Sequence, residues 1–287
     1  VRPFVRILLT LVGLGWLGLI LLLPLLAIFT EALAKGWSAY AAAITSPEAR
    51  DAIRLTLLSA AIAVPANLVF GLAAAWAITK FEFRGKTLLL ALIDLPFSIS
   101  PVIGGLVFVL LYGAHGWLGP WLASHDVQII FAKPGIVLAT IFVTLPFVVR
   151  ELVPLMQAQS TVREEAAFSL GATGWQIFRH VTLPNVRWAL LYGVILCTAR
   201  AMGEFGAASV VAGSIRGRTV TLPLHIEIVF NEYDSVAAFA CATLLTLTAL
   251  ATLVLKTVLD VRERRAQRAS LASGMLAGAA RPVGARA

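Results

Sequence analysis

Charge is what this sequence has least of. Only 13% of its 287 residues are Asp, Glu, Lys or Arg, where a soluble globular chain carries about 25%. So few charges cannot cover a large water-facing surface, which excludes an ordinary soluble domain. Cysteine is almost absent. Cys197 and Cys241 both fall inside apolar runs, where they read as small packing residues and say nothing about redox compartment. The four histidines, His115, His125, His180 and His225, lack metal-ligand spacing. No paired catalytic carboxylates, nucleophile–base set or metal cluster stands out, which argues against an enzyme.

What is present is grease. Hydrophobic residues make up 59% of the chain and the mean hydropathy is +0.89. A helical span needs about 20 mostly apolar residues to cross a core about 30 Å thick. Six stretches qualify: about 7–29, 56–78, 87–111, 135–153, 188–211 and 236–259. The expected fold is therefore all-α, a polytopic membrane protein with about six transmembrane helices. The first stretch, with Arg2 and Arg6 before it and Ala32-Leu33-Ala34 after it, also has the outline of a signal peptide. It is longer than an h-region of about 7–15 residues and contains Pro24, so a retained span is expected.

The net charge of +8 suggests topology rather than nucleic acid. With the N-terminus inside, the inside segments carry Arg2, Arg6, Lys80, Arg84, Lys86, Arg150, Arg163, Arg179, Arg187, Lys256, Arg262, Arg264, Arg265 and Arg268. The outside segments carry only Lys35, Arg50, Arg54, Lys133, Arg216 and Arg218. Positive charge accumulates on the cytoplasmic side, so both termini are expected there. Residues 1–265 are assigned to the transmembrane domain. Residues 266–287 are assigned to a basic cytoplasmic tail, expected to be disordered and to lie on anionic membrane lipid. No internal repeat is visible, whereas many secondary transporters pair two similar halves around a central site. A partner subunit is the expected completion of the pathway.

The longest inside connection runs from about Pro154 to Arg187, and its informative stretch is 160–184. Thr161 followed by Glu164 has capping-box spacing, Glu164 and Glu165 suit a first helical turn, and Gly171 suits the helix end. A second short helix is expected from Trp175 to Val181, broken by Leu183-Pro184. On physics alone this is equally an amphipathic connector lying on the membrane. Gly85-Lys86-Thr87 matches the end of a phosphate-binding loop, but Lys80 stands where that motif needs a glycine. The chain is thus not expected to bind ATP itself.

Ionisable groups inside spans are costly and are functional candidates by default. Arg200 and Glu204, four apart in the fifth stretch, share a helix face, either as a bundle-ordering pair or as groups near an anion path. Asp94 precedes Leu95-Pro96-Phe97-Ser98-Ile99-Ser100-Pro101. The two prolines bend the helix, and the hydroxyls of Ser98 and Ser100 either satisfy freed carbonyls or line a pore. Thr144-Leu145-Pro146 is a similar kink.

Glu165-Ala166-Ala167, then Gly171, then Val181-Thr182-Leu183-Pro184 resemble the EAA loop of binding-protein-dependent ABC importer permeases, with Val181 where the family has Ile. The resemblance implies a coupling helix that docks on an ATPase subunit through Glu164, Glu165, Ala166, Ala167, Phe168, Gly171, Leu183 and Pro184. It extends to 94–102, 144–152, 199–207, 213–219, 221–224 and 231–233, which look like the W-type subunit of the sulfate/thiosulfate permease branch. The Arg200–Gly206 segment is shared in kind with molybdate permeases. This implies a permease of MetI-like fold without a cofactor of its own. Its partners would be a T-type sulfate permease, a cytoplasmic ABC ATPase dimer and a periplasmic sulfate-binding protein. Ser98, Ser100, Arg200 and Glu204 would be candidates for the pathway. A molybdate or tungstate permease, or an ion-coupled secondary anion transporter, is the alternative reading.

Overall fold

The computed structural model describes residues 3–159 and 162–279, with side chains through Arg262. Every regular element among the described residues is helical: α1 Pro3–Ala32, α2 Trp37–Thr45, α3 Pro47–Lys80, α4 Lys86–Ser98, α5 Pro101–Tyr112, α6 Gly119–Ser124, α7 Lys133–Ala158, α8 Val162–Ser169, α9 Gly174–Ile177, α10 Leu183–Met202, α11 Gly206–Val211, α12 Leu222–Asn231 and α13 Ser235–Ala279. Among the described residues, five helical stretches are long and apolar enough to cross a membrane, and the bent pair α4–α5 makes up to six. Successive spans alternate in direction. One end of the molecule therefore gathers the α3–α4 turn with α8 and α9, here called the loop-helix end, and the other gathers α2, α6 and α12.

Local chemistry sets the boundaries. Ser46 accepts a hydrogen bond from the Ala49 N–H at 3.2 Å, Pro47 opens α3 and Glu48 sits in its first turn, the expected start of a helix. The third expected stretch, 87–111, is broken at Ile99 and Ser100, and its halves meet at 112°. Both break residues are extended, because Pro101 excludes the helical conformation from the residue before it. The fifth expected stretch, 188–211, is also revised. Its helical span starts earlier, at Gly174, and ends at Met202. Gly203–Phe205 interrupt it before the short α11. At the other end of the chain, α13 runs helical to Ala279, past the boundary at 265 where a disordered tail was expected. Its Ala, Arg, Leu and Met residues are good helix formers, so the span propagates; residues 280–287 lie outside the described ones.

The core is the contact of α3, α7 and α10. A Cβ placed on Gly71 would lie 2.8 Å from Val148, and one on Gly193 would lie 3.2 Å from the Val148 backbone, so the absent side chains let three spans close on one valine. Between them Asn67, fully buried, donates to Thr144 Oγ1 at 2.7 Å and to the Ile141 carbonyl at 3.1 Å, in the turn preceding Pro146. Thr140 and Thr144 bond back to the carbonyls of Ile136 and Thr140. Here the kink residues serve packing. α1 packs mainly along α13, with Ala32 at its end also against Tyr40 of α2, and exposes Leu9, Leu14, Trp16, Leu21 and Leu23, the surface a lipid-facing span needs.

Candidate functional site at the loop helices and the broken spans

The loop-helix end is built around α8. Thr161 lies outside the described residues. Glu164 turns inward: one carboxylate oxygen is 2.7 Å from Lys80 Nζ at the end of α3, and the other accepts from Thr182 Oγ1 at 2.8 Å. Both ion-pair side chains are mostly buried, at 13% and 19% exposure. Gly171 has φ +85°. The Gly171 N–H bonds to Phe168 O and the Ala172 N–H to Ala167 O, the paired pattern by which a left-handed glycine closes a helix.

α9 is shorter than expected. It is started by Thr173 and Gln176, whose side chains and backbone satisfy each other in a capping box that the sequence reading missed. The expected break at Leu183-Pro184 does not occur. Residues Phe178–Thr182 form a π turn, with the Leu183 N–H reaching back to Phe178 O, and α10 follows directly. The wider turn accommodates a proline that has no N–H and would clash with a carbonyl four residues back. Phe178 stacks on Trp175 and packs at a tilt against Trp76 of α3, with centroids 5.4 and 5.0 Å apart. The loop helices are thus fastened to α3 by an ion pair and an aromatic contact.

Their other face is exposed. Glu165 and Ala166 are exposed and Ala167 is half-buried, as is Leu183, while Pro184 is exposed. Phe168, Leu170 and Trp175 expose 73%, 89% and 67% of their surfaces. Large apolar side chains presented together at a polar end of a protein mark a protein contact.

The broken spans meet each other. A Cβ on Gly206 would lie 2.9 Å from Pro101 Cβ, and one on Gly105 would lie 2.9 Å from Ala207 O and from Val210 Cβ. α5 and α11 therefore lie backbone to backbone, and the breaks at Ser100 and at Gly203–Phe205 adjoin. Glu204, only 3% exposed, sits in the second break. Its Oε1 accepts from the Ala207 N–H at 2.9 Å, at the start of α11. Its Oε2 is 2.6 Å from Arg200 Nη1, an ion-pair contact without hydrogen-bond alignment. Arg200 and Glu204 are thus brought together as expected, across a helix end rather than along one helix. Ser98 and Ser100 are exposed, and Ser98 Oγ bonds to the Asp94 carbonyl at 3.3 Å.

Two residues the sequence reading treated only as loop-side charges gain partners here. Lys80 holds Glu164. Arg150 Nε lies 2.8 Å from Asp94 Oδ1, and its guanidinium carbon is 4.5 Å from the centre of the Phe97 ring. An intramembrane carboxylate calls for a cation. That rule points from Asp94 to a partner, but the sequence does not show that α7 supplies it. Lys86 pairs with Glu82 at 2.8 Å beside the left-handed Gly85, in an ordinary turn. A cavity of about 680 Å³ opens between α5, α6 and the approach to α7, at the end remote from the loop helices, and none of the sequence-predicted site residues lines it. No cluster suited to a metal occurs among the described residues.

Comparison with known proteins adds relatives to this geometry. Residues 67–267 match the family described as binding-protein-dependent transport system inner membrane component. The chain is 55% identical over 263 residues to the sulfate transport system permease protein CysW of Escherichia coli K12, covering 90% of each chain. It is 51% identical over 256 residues to sulfate permease 2, chloroplastic, of Chlamydomonas reinhardtii, covering 89% of this chain and 69% of that one. It is 41% identical over 232 residues to the E. coli K12 sulfate transport system permease protein CysT, covering 81% and 84%. Among solved structures, a chain of a bacterial ABC transporter involved in import of the acidic polysaccharide alginate superposes with a TM-score of 0.76 over 92% of this chain and 96% of that one, at 17% identity, a likeness of fold alone.

Proposed function

Since the chain belongs to the family of binding-protein-dependent transport system inner membrane components, we propose that it is one permease subunit of an ATP-driven importer that carries sulfate, and with it thiosulfate, across the inner membrane. The observation that carries the cargo is the near full-length identity to the E. coli sulfate permease. A T-type permease completes the membrane pathway. A dimer of ATPase subunits supplies the work, and a periplasmic binding protein supplies the anion. Both termini lie in the cytoplasm, which places α8 and α9 there, where the ATPase is.

The loop helices are the coupling element. Glu165, Ala166, Ala167, Phe168 and Leu170 face the ATPase, with small alanines allowing close approach and the exposed apolar side chains entering its groove. Glu164 faces the other way and passes the displacement of α8 to α3. Gly171 sets the turn between α8 and α9, and Leu183 and Pro184 lead the motion into α10. Arg200 and Glu204 act as a brace that holds α10 to α11. Ser98 and Ser100 mark the face of α4 and of the break that turns to the pathway.

The test is uptake of labelled sulfate by the assembled complex in proteoliposomes, with thiosulfate and molybdate as competitors. ATP-dependent uptake that thiosulfate inhibits and molybdate does not is expected. Molybdate uptake that excludes sulfate would move the chain to the molybdate branch, and gradient-driven uptake without ATP would overturn the importer reading.

A further inference from the structure

The Asp94–Arg150 pair lies where ions are expensive. Asp94 is roughly 12 Å along α4 from Lys86, and Arg150 roughly 12 Å along α7 from its end at Ala158, at about 1.5 Å of rise per residue. Both positions lie within the depth of a hydrocarbon core about 30 Å thick. The two antiparallel helices thus bring the charges to one level. The pair is not buried in this chain, with Arg150 56% and Asp94 42% exposed. Phe97 and Ser98 beside it are exposed as well. A half-exposed ion pair at that depth is not a lipid-facing feature. Such pairs face the bundle interior or a water-filled cavity, and in a permease that works with a second permease this face adjoins the partner.

The geometry also distinguishes this pair from Arg200–Glu204. There the carboxylate is sealed at 2% side-chain exposure and holds a helix start. Here a single Nε–Oδ1 bond and the Phe97 ring hold the guanidinium, and its two Nη groups make no hydrogen bond among the described residues. An arginine fork matches the oxygens of an oxyanion.

We propose that Arg150, parked on Asp94 and Phe97, is the anion-selecting cation of the translocation path, with Ser98 on the same wall. This rests on the oxyanion-importer reading above. Asp94 keeps the empty path near neutral. It also competes with the passing anion for the guanidinium, so the anion is met and then released, as conduction requires. A lone arginine would hold a dianion too long.

The test uses the assembled importer in proteoliposomes. Cys197 and Cys241 are buried, so the parent should not label. Ser98→Cys leaves the ion pair intact. It should react with both the anionic sulfonatoethyl and the cationic trimethylammonioethyl methanethiosulfonates, which do not enter lipid. The anionic reagent should react several-fold faster, and sulfate should slow it. Adding Arg150→Gln should abolish the anionic preference, and Arg150→Lys should keep part of it. Arg150→Cys, labelled in the same way, is the second probe of the same wall. Absence of labelling at both positions, or an anionic preference unchanged by Arg150→Gln, overturns the proposal. Sulfate uptake by the parent complex is measured first, using the competitors above. Failure of that uptake counts against the cargo, whereas the labelling pattern alone decides where the water path runs.

Discussion

Removing Glu164 or Lys80 should destabilise the complex more than removing both, while all three changes uncouple ATP hydrolysis from transport. At 13% and 19% side-chain exposure, the pair lies nearer the buried limit. An exposed pair contributes about 0–1 kcal/mol, and taking one partner from a fully buried pair costs about 3–5 kcal/mol. Lys80→Met leaves the Glu164 carboxylate with, among the described residues, the Thr182 hydroxyl alone, and Glu164→Gln strands the ammonium; each should cost about 2–3 kcal/mol. The double variant strands neither charge and should cost about 1 kcal/mol, since replacing both partners of a buried pair is far milder than removing one. A coupling energy of about 3 kcal/mol or more, on the order of a 100-fold effect, should then appear in a double-mutant cycle. Two readouts are needed on the reconstituted complex: the thermal midpoint, and the ratio of ATP hydrolysed to sulfate taken up. The singles should raise that ratio several-fold, and the double, which also lacks the link, should keep it raised while recovering much of the thermal midpoint. Additive effects within about 0.5 kcal/mol, or an unchanged ratio in the singles, would refute the view that Glu164 passes the motion of α8 to α3.

Other consequences follow from single residues. Gly171 has φ +85° with open space where a Cβ would stand, so Gly171→Ala should lose only about 1 kcal/mol of left-handed strain and part of its uptake, whereas Gly171→Pro should abolish ATP-driven uptake in an inserted complex; normal uptake in the proline variant would sink the coupling assignment. Glu204→Ala strands Arg200 and uncaps α11, and should lower stability by about 3 kcal/mol or more, while Arg200→Ala should reduce assembly without changing transport per assembled complex. A changed rate per complex would return Arg200 to the pathway. His225 of α12 is held below its ordinary value of 6.5 by burial and, next, by Arg216. The folded protein thus binds fewer protons than the unfolded chain in mildly acid solution. The stability tied to His225 should be full above pH 6.5 and lost as pH falls towards the lowered value. A thermal midpoint measured in detergent should fall between pH 7 and 5.5, and His225→Gln should flatten that slope; an equal slope in the variant counts against the assignment.

The parts of this molecule that can be read from sequence are those set by local chemistry. Apolar length locates the spans because the bilayer imposes it. Gly171 betrays its left-handed turn because only glycine is at ease there, and Pro101 betrays the break before it because the ring constrains its neighbour. The readings that fail do so where a tertiary partner or a rarer local geometry takes over. Pro184 looks like a stop, but a π turn absorbs it. The stretch 188–211 looks like one span because hydropathy cannot register Gly203–Phe205, where Glu204 leaves one helix to start the next. Lys80 and Arg150 look alike as positive charges near the loop side, and only the packing separates them. Lys80 meets a carboxylate carried by α8 and, in the proposed coupling, joins the lever. Arg150 meets a carboxylate carried by α4 inside the apolar layer and becomes a candidate for the cargo. On the two proposals above, this difference in partner divides the site into a part that receives work and a part that meets the anion. Both parts reach α7, Lys80 through the close packing of α3 against Val148 and Arg150 directly. A displacement imposed on α8 therefore has a short, rigid route to Arg150, the charge proposed for the pathway wall.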